Sequence, residues 1–132
     1  RWFAFDNLDP RGSTSGRYLF DWFHTDNSSA HFVTCIHSEK EHQAILHTGW
    51  DDGIVIRLGD TVVFDQAEYP QRGHGMLYLD RYLFEKHVPI VIPKGKTRLS
   101  VTSINSHGAW GFSLRITDGN QIPFEDIRFR LE

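Results

Sequence analysis

The 132-residue sequence contains a single cysteine, Cys35, and no long apolar run. One cysteine cannot form an internal disulfide, which excludes the class of small secreted domains that depend on disulfides. A membrane-spanning helix needs about 18 or more consecutive apolar residues, and an export signal needs a shorter apolar core. Neither is present, so we expect no membrane partner. A chain of this length can bury a stable core without cross-links.

The sequence also has no excess of positive charge. Lys and Arg number 14 against 17 Asp and Glu, which gives a net charge of −3. Domains that bind a phosphate backbone usually carry a clear basic surplus. We therefore expect no nucleic-acid partner.

Sequence signatures of catalysis are missing as well. There is no G-x-S-x-G, H-x-H or H-E-x-x-H pattern, and Cys35 within "FVTCIH" is typical of a small buried apolar residue. His37, His42 and His47 are five residues apart, which on a strand turns successive side chains to opposite faces and disfavours a shared metal. A pair of carboxylates that meets only in space is not excluded. We expect a domain that is not an enzyme.

What the sequence does contain is period-two alternation. Trp110, Phe112, Leu114 and Ile116 alternate with Gly111, Ser113, Arg115 and Thr117, which predicts a half-buried strand. Similar patterns cover residues 54–58, 98–102 and 127–131, and less regular ones cover 17–23, 31–37 and 43–49. Residues 77–86 match neither the strand nor the helix period, which leaves a helical turn as an alternative there.

Turn-forming residues separate these segments about every ten residues. Gly59-Asp60, Pro93-Lys94-Gly95 and residues 118–120 are the clearest cases. Short strands with such spacing are typical of a sandwich or barrel. The prediction is one all-β domain over residues 1–132, an antiparallel β-sandwich of jelly-roll type with eight or nine strands.

Two stretches resemble a known family. "GWDDGIVIRLGDTVVFD" at 49–65 and "VPIVIPKGKTRLSVTSINSHGAWGFSLRITD" at 88–118 are similar to the galactose-binding-like β-sandwich modules that accompany bacterial polysaccharide-degrading enzymes. The order Gly59-Asp60 departs from the usual Asp-Gly or Asn-Gly, and residues 1–45 match only loosely. The resemblance implies a non-catalytic carbohydrate-binding module, excised from a larger secreted or cell-surface bacterial protein, with no fixed sugar.

The resemblance places candidate sugar-binding residues in both stretches. Asp51 and Asp52 would accept hydrogen bonds from sugar hydroxyls or help to hold a calcium ion; the alternative is an Asp-Gly turn with a backbone-bonded carboxylate. Trp50 would stack on a sugar ring at a loop rim or pack in the core. Trp110, near a loop mouth, has the same two interpretations, although its periodicity favours the core. His107, three residues before it, is a further candidate sugar-binding residue.

Residues 65–82 form a long predicted loop between strands. It mixes aromatic and polar side chains between flexible glycines, as oligosaccharide sites do. A loop of this length in a compact domain is usually functional or disordered, and contact with a neighbouring domain is a further alternative. The candidate sugar-binding residues in it are Arg72, His74, Tyr78, Asp80, Arg81 and Tyr82.

Two functions follow from these observations. In the first, the chain binds an oligosaccharide or polysaccharide and raises the local concentration of an attached catalytic domain on its substrate. In the second, it is a structural module that packs against a glycoside hydrolase or lyase domain of the same polypeptide and binds no sugar. The second predicts an exposed apolar patch of roughly several hundred Å².

Overall fold

Eleven β-strands make up the described part of the chain in the computed structural model, which covers residues 13–15, 26–68, 76–77, 81–82, 84, 86–108 and 110–132. Three of the strands have only two or three residues, so the count exceeds the eight or nine predicted. In chain order the strands are β1 (Ser13–Ser15), β2 (Ser28–Ser38), β3 (His42–Asp51), β4 (Gly53–Leu58), β5 (Thr61–Gln66), β6 (Met76–Leu77), β7 (Arg81–Tyr82), β8 (Lys86–Ile92), β9 (Gly95–Asn105), β10 (Gly111–Thr117) and β11 (Ile127–Arg130).

The strands form two antiparallel sheets and one short ribbon. The four-stranded sheet has the order β1-β10-β3-β8, the five-stranded sheet has the order β11-β2-β9-β4-β5, and β6 pairs with β7. The predicted all-β class and the β-sandwich are confirmed. The jelly-roll order of connections stays a prediction. No helix among the described residues is long and apolar enough to cross a membrane.

Alternation along each strand fills the space between the two sheets. On β9, Leu99 and Val101 are buried, whereas Lys96 and Arg98 on the opposite face are exposed. Each apolar side chain of this size contributes about 1.5–3 kcal/mol when it is removed from water. The most deeply buried aliphatic side chains of the core are Ile36, Leu46, Ile54, Ile56 and Ile92.

The predicted turns are present, and each has a local cause. Gly59 and Gly95 have φ angles of 60° and 98°, a region that glycine enters without the penalty of a Cβ atom. In the turn after β10, Asp118 Oδ1 accepts hydrogen bonds from the backbone N–H groups of Asn120 (2.8 Å) and Ile122 (2.9 Å). The predicted turns therefore form through the two features expected of such residues, positive φ angles at glycine and side-chain hydrogen bonds from aspartate to the backbone.

Strand β10 corrects one prediction about exposure. Ser113 and Thr117 were expected on a solvent-facing side, but both are fully buried. The outer face of the four-stranded sheet is covered, because β7 lies against β3 and β10 and the Phe84 ring lies 6.2 Å from the imidazole of His47. Period-two alternation detects the inner face of a strand but not a second layer over its outer face.

Two weaker predictions have different outcomes. The described backbone within residues 77–86 is extended, in β6, β7 and the start of β8, so the helical alternative is wrong for those residues. The predicted strand at 17–23 lies outside the described residues.

Candidate functional site

A polar depression of about 510 Å³ lies at one end of the five-stranded sheet. The start of β2, the end of β9 and the start of β4 meet there. Six of its ten lining residues have hydroxyl or amide side chains and one has a carboxylate, although more of the exposed lining surface is apolar than polar. The lining residues are Asn27, Ser28, Ser29, Asp52, Gly53, Ala67, Thr102, Ile104, Asn105 and Ser106.

Asp52 joins the two stretches that carry the family resemblance. Its Oδ2 accepts a 2.7 Å hydrogen bond from the backbone N–H of Ser106, and its own N–H donates to the carbonyl of Ile104 at 3.0 Å. The side chain is only 5% exposed. The carboxylate of Asp52 is therefore bonded to the backbone, as in the turn interpretation. It also lines the depression.

Asp51 and Asp52 belong to different parts of the sandwich. Asp51 is the last residue of β3 and is in register with Gly111 of the four-stranded sheet, whereas Asp52 bonds to the end of β9 in the other sheet. Within the described ranges no three His, Cys, Asp or Glu side chains are grouped so as to hold a metal ion. The described residues around the pair therefore do not fit a carboxylate-rich calcium site.

Two short loops form the rim of the depression and are bonded to each other. The backbone N–H of Asn27 donates to the carbonyl of Ser106 at 2.9 Å, and the N–H of Gly108 donates to Asp26 Oδ1 at 3.1 Å. Asn27 and Gly108 both have positive φ angles, 53° and 78°. These bonds fix the polar rim before any ligand arrives, which lowers the entropic cost of binding.

Gly53 allows the wall of the depression to approach closely. A Cβ atom at this position would lie 2.9 Å from the carbonyl oxygen of Ala67 and 3.2 Å from that of Gln66. The chain leaving β5 can pass over the start of β4 only because no side chain stands there. The glycine of the "DDG" motif thus has a structural role of its own.

The two candidate tryptophans are buried. Trp50 is 2% exposed and packs edge-to-face on Phe64, with ring centroids 5.2 Å apart. Trp110 is 1% exposed. Both tryptophans therefore pack in the interior, and neither presents an indole face to solvent.

Of the remaining predicted residues, the structure describes His107 fully and Arg81 and Tyr82 in part. His107 is exposed beside the depression, with Nδ1 3.3 Å from Ser106 Oγ. The backbone of Arg81 and Tyr82 forms β7, but their side chains lie outside the described part of the chain. Also outside it are Arg72, His74, Tyr78 and Asp80.

Sequence reasoning missed the residues of the other wall. Asn27, Ser28 and Ser29 come from the polar run "TDNSS" at 25–29, which has the composition of an ordinary turn. Thr102 on β9 has its Oγ1 2.9 Å from Nδ1 of His31 on β2. Only the pairing of β2 with β9 brings these hydroxyls to the "DDG" motif.

A second polar cluster lies on the covered face of the four-stranded sheet. His47 Nε2 is 2.7 Å from Thr117 Oγ1, and His47 Nδ1 is 2.6 Å from His87 Nδ1. Because the Thr117 hydroxyl donates to the carbonyl of Asp118, it accepts from the Nε2–H of His47. Burial lowers the pKa of His47, and the neighbouring His87 and Arg115 lower it further.

Comparisons with known proteins identify no relative of this chain. No protein-family model matches the chain, and no significant match was found among curated proteins or among solved structures. The likeness to galactose-binding-like modules therefore rests on the two stretches at 49–65 and 88–118.

Proposed function

We propose that the chain is a non-catalytic carbohydrate-binding module that attaches a larger, secreted or cell-surface bacterial protein to polysaccharide. The observation that supports this most directly is the meeting of the "WDDG" and "NSHGAWGF" stretches at one depression lined by hydroxyls, amides and a carboxylate. Its volume of about 510 Å³ is within the range of small-ligand sites, about 300–1,000 Å³.

The lining chemistry complements sugar hydroxyls. Ser28, Ser29 and Thr102 each offer a hydroxyl that both donates and accepts, and Asn27 offers both functions through its amide. The carboxylate of Asp52 also lines the depression, but it is only 5% exposed and accepts from the N–H of Ser106, so its main contribution is to hold the rim in place. A sugar, which presents both donors and acceptors on adjacent carbons, can pair with such a mixed set.

We expect the affinity of this depression alone to be low. None of the described residues that line it is aromatic, so none of them offers a ring on which a sugar can stack. Hydrogen bonds to a ligand replace hydrogen bonds to water and contribute little net free energy each. A dissociation constant on the order of 1 mM, about −4 kcal/mol, follows. Attachment to a catalytic domain would make such binding useful through effective concentration.

Affinity electrophoresis through gels that contain soluble plant and algal polysaccharides tests the proposal. Retardation of the folded chain by at least one polymer is expected. Ser29→Trp places a bulky side chain at the lining and should abolish retardation, whereas Val91→Trp, at an exposed position on β8, should not. A folded protein that no polymer retards would overturn the proposal. Repeating the gels with a calcium chelator shows whether retardation depends on calcium.

The structural-module alternative is favoured by a different observation. Phe129 on the edge strand β11 and Leu131 just beyond it are 53% and 68% exposed. An edge strand with exposed apolar side chains is a surface that a neighbouring domain can cover. Under this alternative, Phe129→Ser with Leu131→Ser would weaken association with the catalytic domain of the same polypeptide and leave polysaccharide retardation absent in every variant.

A further inference from the structure

The outer face of the five-stranded sheet concentrates positive charge. Four adjacent strands, β11, β2, β9 and β4, contain five Lys and Arg residues and no Asp or Glu. The whole chain, in contrast, has a net charge of −3. The basic residues of this cationic face are Arg57, Lys96, Arg98, Arg128 and Arg130.

Strand register places these side chains on one face. Cys35 of β2 is paired with Arg130 on one side and Arg98 on the other, and His37 is paired with Arg128 and Lys96 in the same way. Residues paired across strands point to the same face. The opposite face of these strands holds core residues such as Ile36 and Leu99, so the basic side chains point to solvent.

The spacing on this face is set by sheet geometry. Lys96 and Arg98, like Arg128 and Arg130, are two residues apart on one strand, about 7 Å. The two pairs are separated by β2, which puts them about 10 Å apart across the sheet. Arg57 lies on the next strand, β4, where it is paired with Ser100 of β9. It extends the row of basic residues by one more strand. A linear anionic polymer can contact several of these groups at once.

Within the described ranges, no carboxylate forms an ion pair with the basic side chains of this face. All five basic side chains are exposed, and the ion pair found in the described part of the chain is between His42 and Asp126, elsewhere. Arg128 donates to the backbone carbonyls of Glu125 and Ile127, not to a carboxylate. Glu132, two residues after Arg130, lies close to this face, because its main-chain oxygen is 2.8 Å from Nε2 of His37. Asp60, in the turn after β4, and Asp65, on the edge strand β5, lie toward its other edge.

The cationic face continues into the polar depression along β9. The same face of this strand presents Arg98, Ser100, Thr102 and Ile104 in succession, and the last two line the depression. From Arg98 to Thr102 the distance is four residues, about 13 Å. One extended ligand can therefore contact the guanidinium groups and the hydroxyl-lined depression together.

We propose that the ligand of this surface is an anionic polysaccharide, one whose sugar residues bear carboxylate or sulfate groups. The inference rests on the carbohydrate-binding function proposed above and adds the ligand class. Arginine pairs with planar or tetrahedral oxyanions through two parallel N–H bonds, and the depression accepts hydroxyls. Duplex DNA fits less well, because its deoxyribose backbone presents phosphates and no free hydroxyls to the depression.

The test compares polymers that differ mainly in charge. The folded chain is run through gels containing polygalacturonate or its fully methyl-esterified form, and sulfated carrageenan or neutral agarose. We expect retardation by at least one acidic polymer with a dissociation constant roughly tenfold or more below that of its neutral counterpart. Raising the ionic strength to about 0.3 M should remove most of this difference, since exposed charges are then screened.

Matched variants assign the effect to the cationic face. Arg98→Gln with Arg130→Gln removes two charges from it, and we expect affinity for the acidic polymer to fall roughly tenfold or more. Lys86→Gln with Arg115→Gln removes the same charge from the four-stranded sheet and should change affinity less than about twofold. Circular dichroism confirms that each variant is folded.

The outcomes separate this inference from the proposed function. Equal binding to acidic and neutral polymers would overturn the anionic ligand class and leave carbohydrate binding intact. An equal loss in both double variants would also overturn the role of the cationic face. Binding to none of the polymers would overturn both proposals, and retention of duplex DNA without any polysaccharide would replace the ligand class with nucleic acid.

Discussion

The carboxylate of Asp52 accepts a 2.7 Å hydrogen bond from the backbone N–H of Ser106, 54 residues later in the chain. This bond connects the end of β9 to the turn between β3 and β4, and thus connects the two sheets at the site. Asp52 is only 5% exposed. If its carboxylate were removed, water would therefore be a poor substitute as the acceptor for the N–H of Ser106. The same residue therefore supports the local fold and supplies an oxygen to the depression.

Replacing Asp52 should lower stability. Asp52→Ala leaves the N–H of Ser106 without its carboxylate acceptor, and we expect a loss of about 1–3 kcal/mol in the free energy of unfolding. Asp52→Asn retains a side-chain oxygen and should lose about 1 kcal/mol. Urea denaturation measures both. Asp60→Ala, at an exposed turn position, is the control, and an equally small effect at both positions would contradict a structural role for Asp52.

Adding a single methyl group at Gly53 should also be costly. Its Cβ atom would lie 2.9 Å from the backbone oxygen of Ala67, which forces the chain after β5 to move. We expect Gly53→Ala to destabilise by about 1–3 kcal/mol. Gly119→Ala is the matched control, because no atom lies within 4 Å of the Cβ position there. The thermal midpoints of the two variants should differ clearly; equal midpoints would show that Ala67 moves freely.

The buried His47 predicts a dependence of stability on pH. Its pKa in the folded protein is lowered by burial first, then by His87 and Arg115, whereas in the unfolded chain it is about 6.5. The unfolded state therefore binds the proton more readily. The stability contributed by His47 is fully present above about pH 6.5 and decreases as the pH falls below that value.

Denaturation in urea between about pH 5 and 7.5 checks this prediction. The free energy of unfolding of the unsubstituted chain should fall as the solution is acidified, and His47→Gln should flatten that part of the curve. His87→Gln is informative as well, because His87 Nδ1 faces His47 Nδ1 at 2.6 Å. Parallel curves for the unsubstituted chain and His47→Gln would show that another group titrates there.

Asp126 predicts a second dependence in a more acidic range. Both of its carboxylate oxygens lie 2.8 Å from Nε2 of His42, and this hydrogen bond is the main reason that the pKa of Asp126 is lowered. The associated stability is present above the ordinary aspartate pKa of about 3.9 and is lost as the pH falls through the lower folded value. Asp126→Asn should flatten the urea-denaturation stability curve below about pH 4.

Sequence patterns predicted the strands of the second half of the chain well, for a clear reason. Alternation reflects the burial of one strand face, as at Ile54, Ile56 and Leu99, and turn residues such as Gly59 act within a few positions of themselves. The sequence alone allows two interpretations of Trp50, because this residue precedes the "DDG" turn. The structure continues β3 through Asp51, so Trp50 stays in phase with Leu46 and packs in the core.

Net charge was the least informative quantity for the candidate site. A value of −3 gave no indication of a basic surface, although the alternating pairs Lys96 with Arg98 and Arg128 with Arg130 were visible. Whole-chain charge averages over every face of the molecule. The position of a charge depends on which strand lies beside it.

The amino-acid sequence by itself determined the strand periodicity, the turns and hence the all-β class, because these depend on neighbours within a few residues. Only the tertiary structure decided which strands pair. The register of β11, β2, β9 and β4 brings residues 57, 96–98 and 128–130 to one face, and it brings Ser29 to Asp52. Such contacts join residues far apart in the chain, and their energy comes from burying two apolar sheet faces together, which local patterns do not specify.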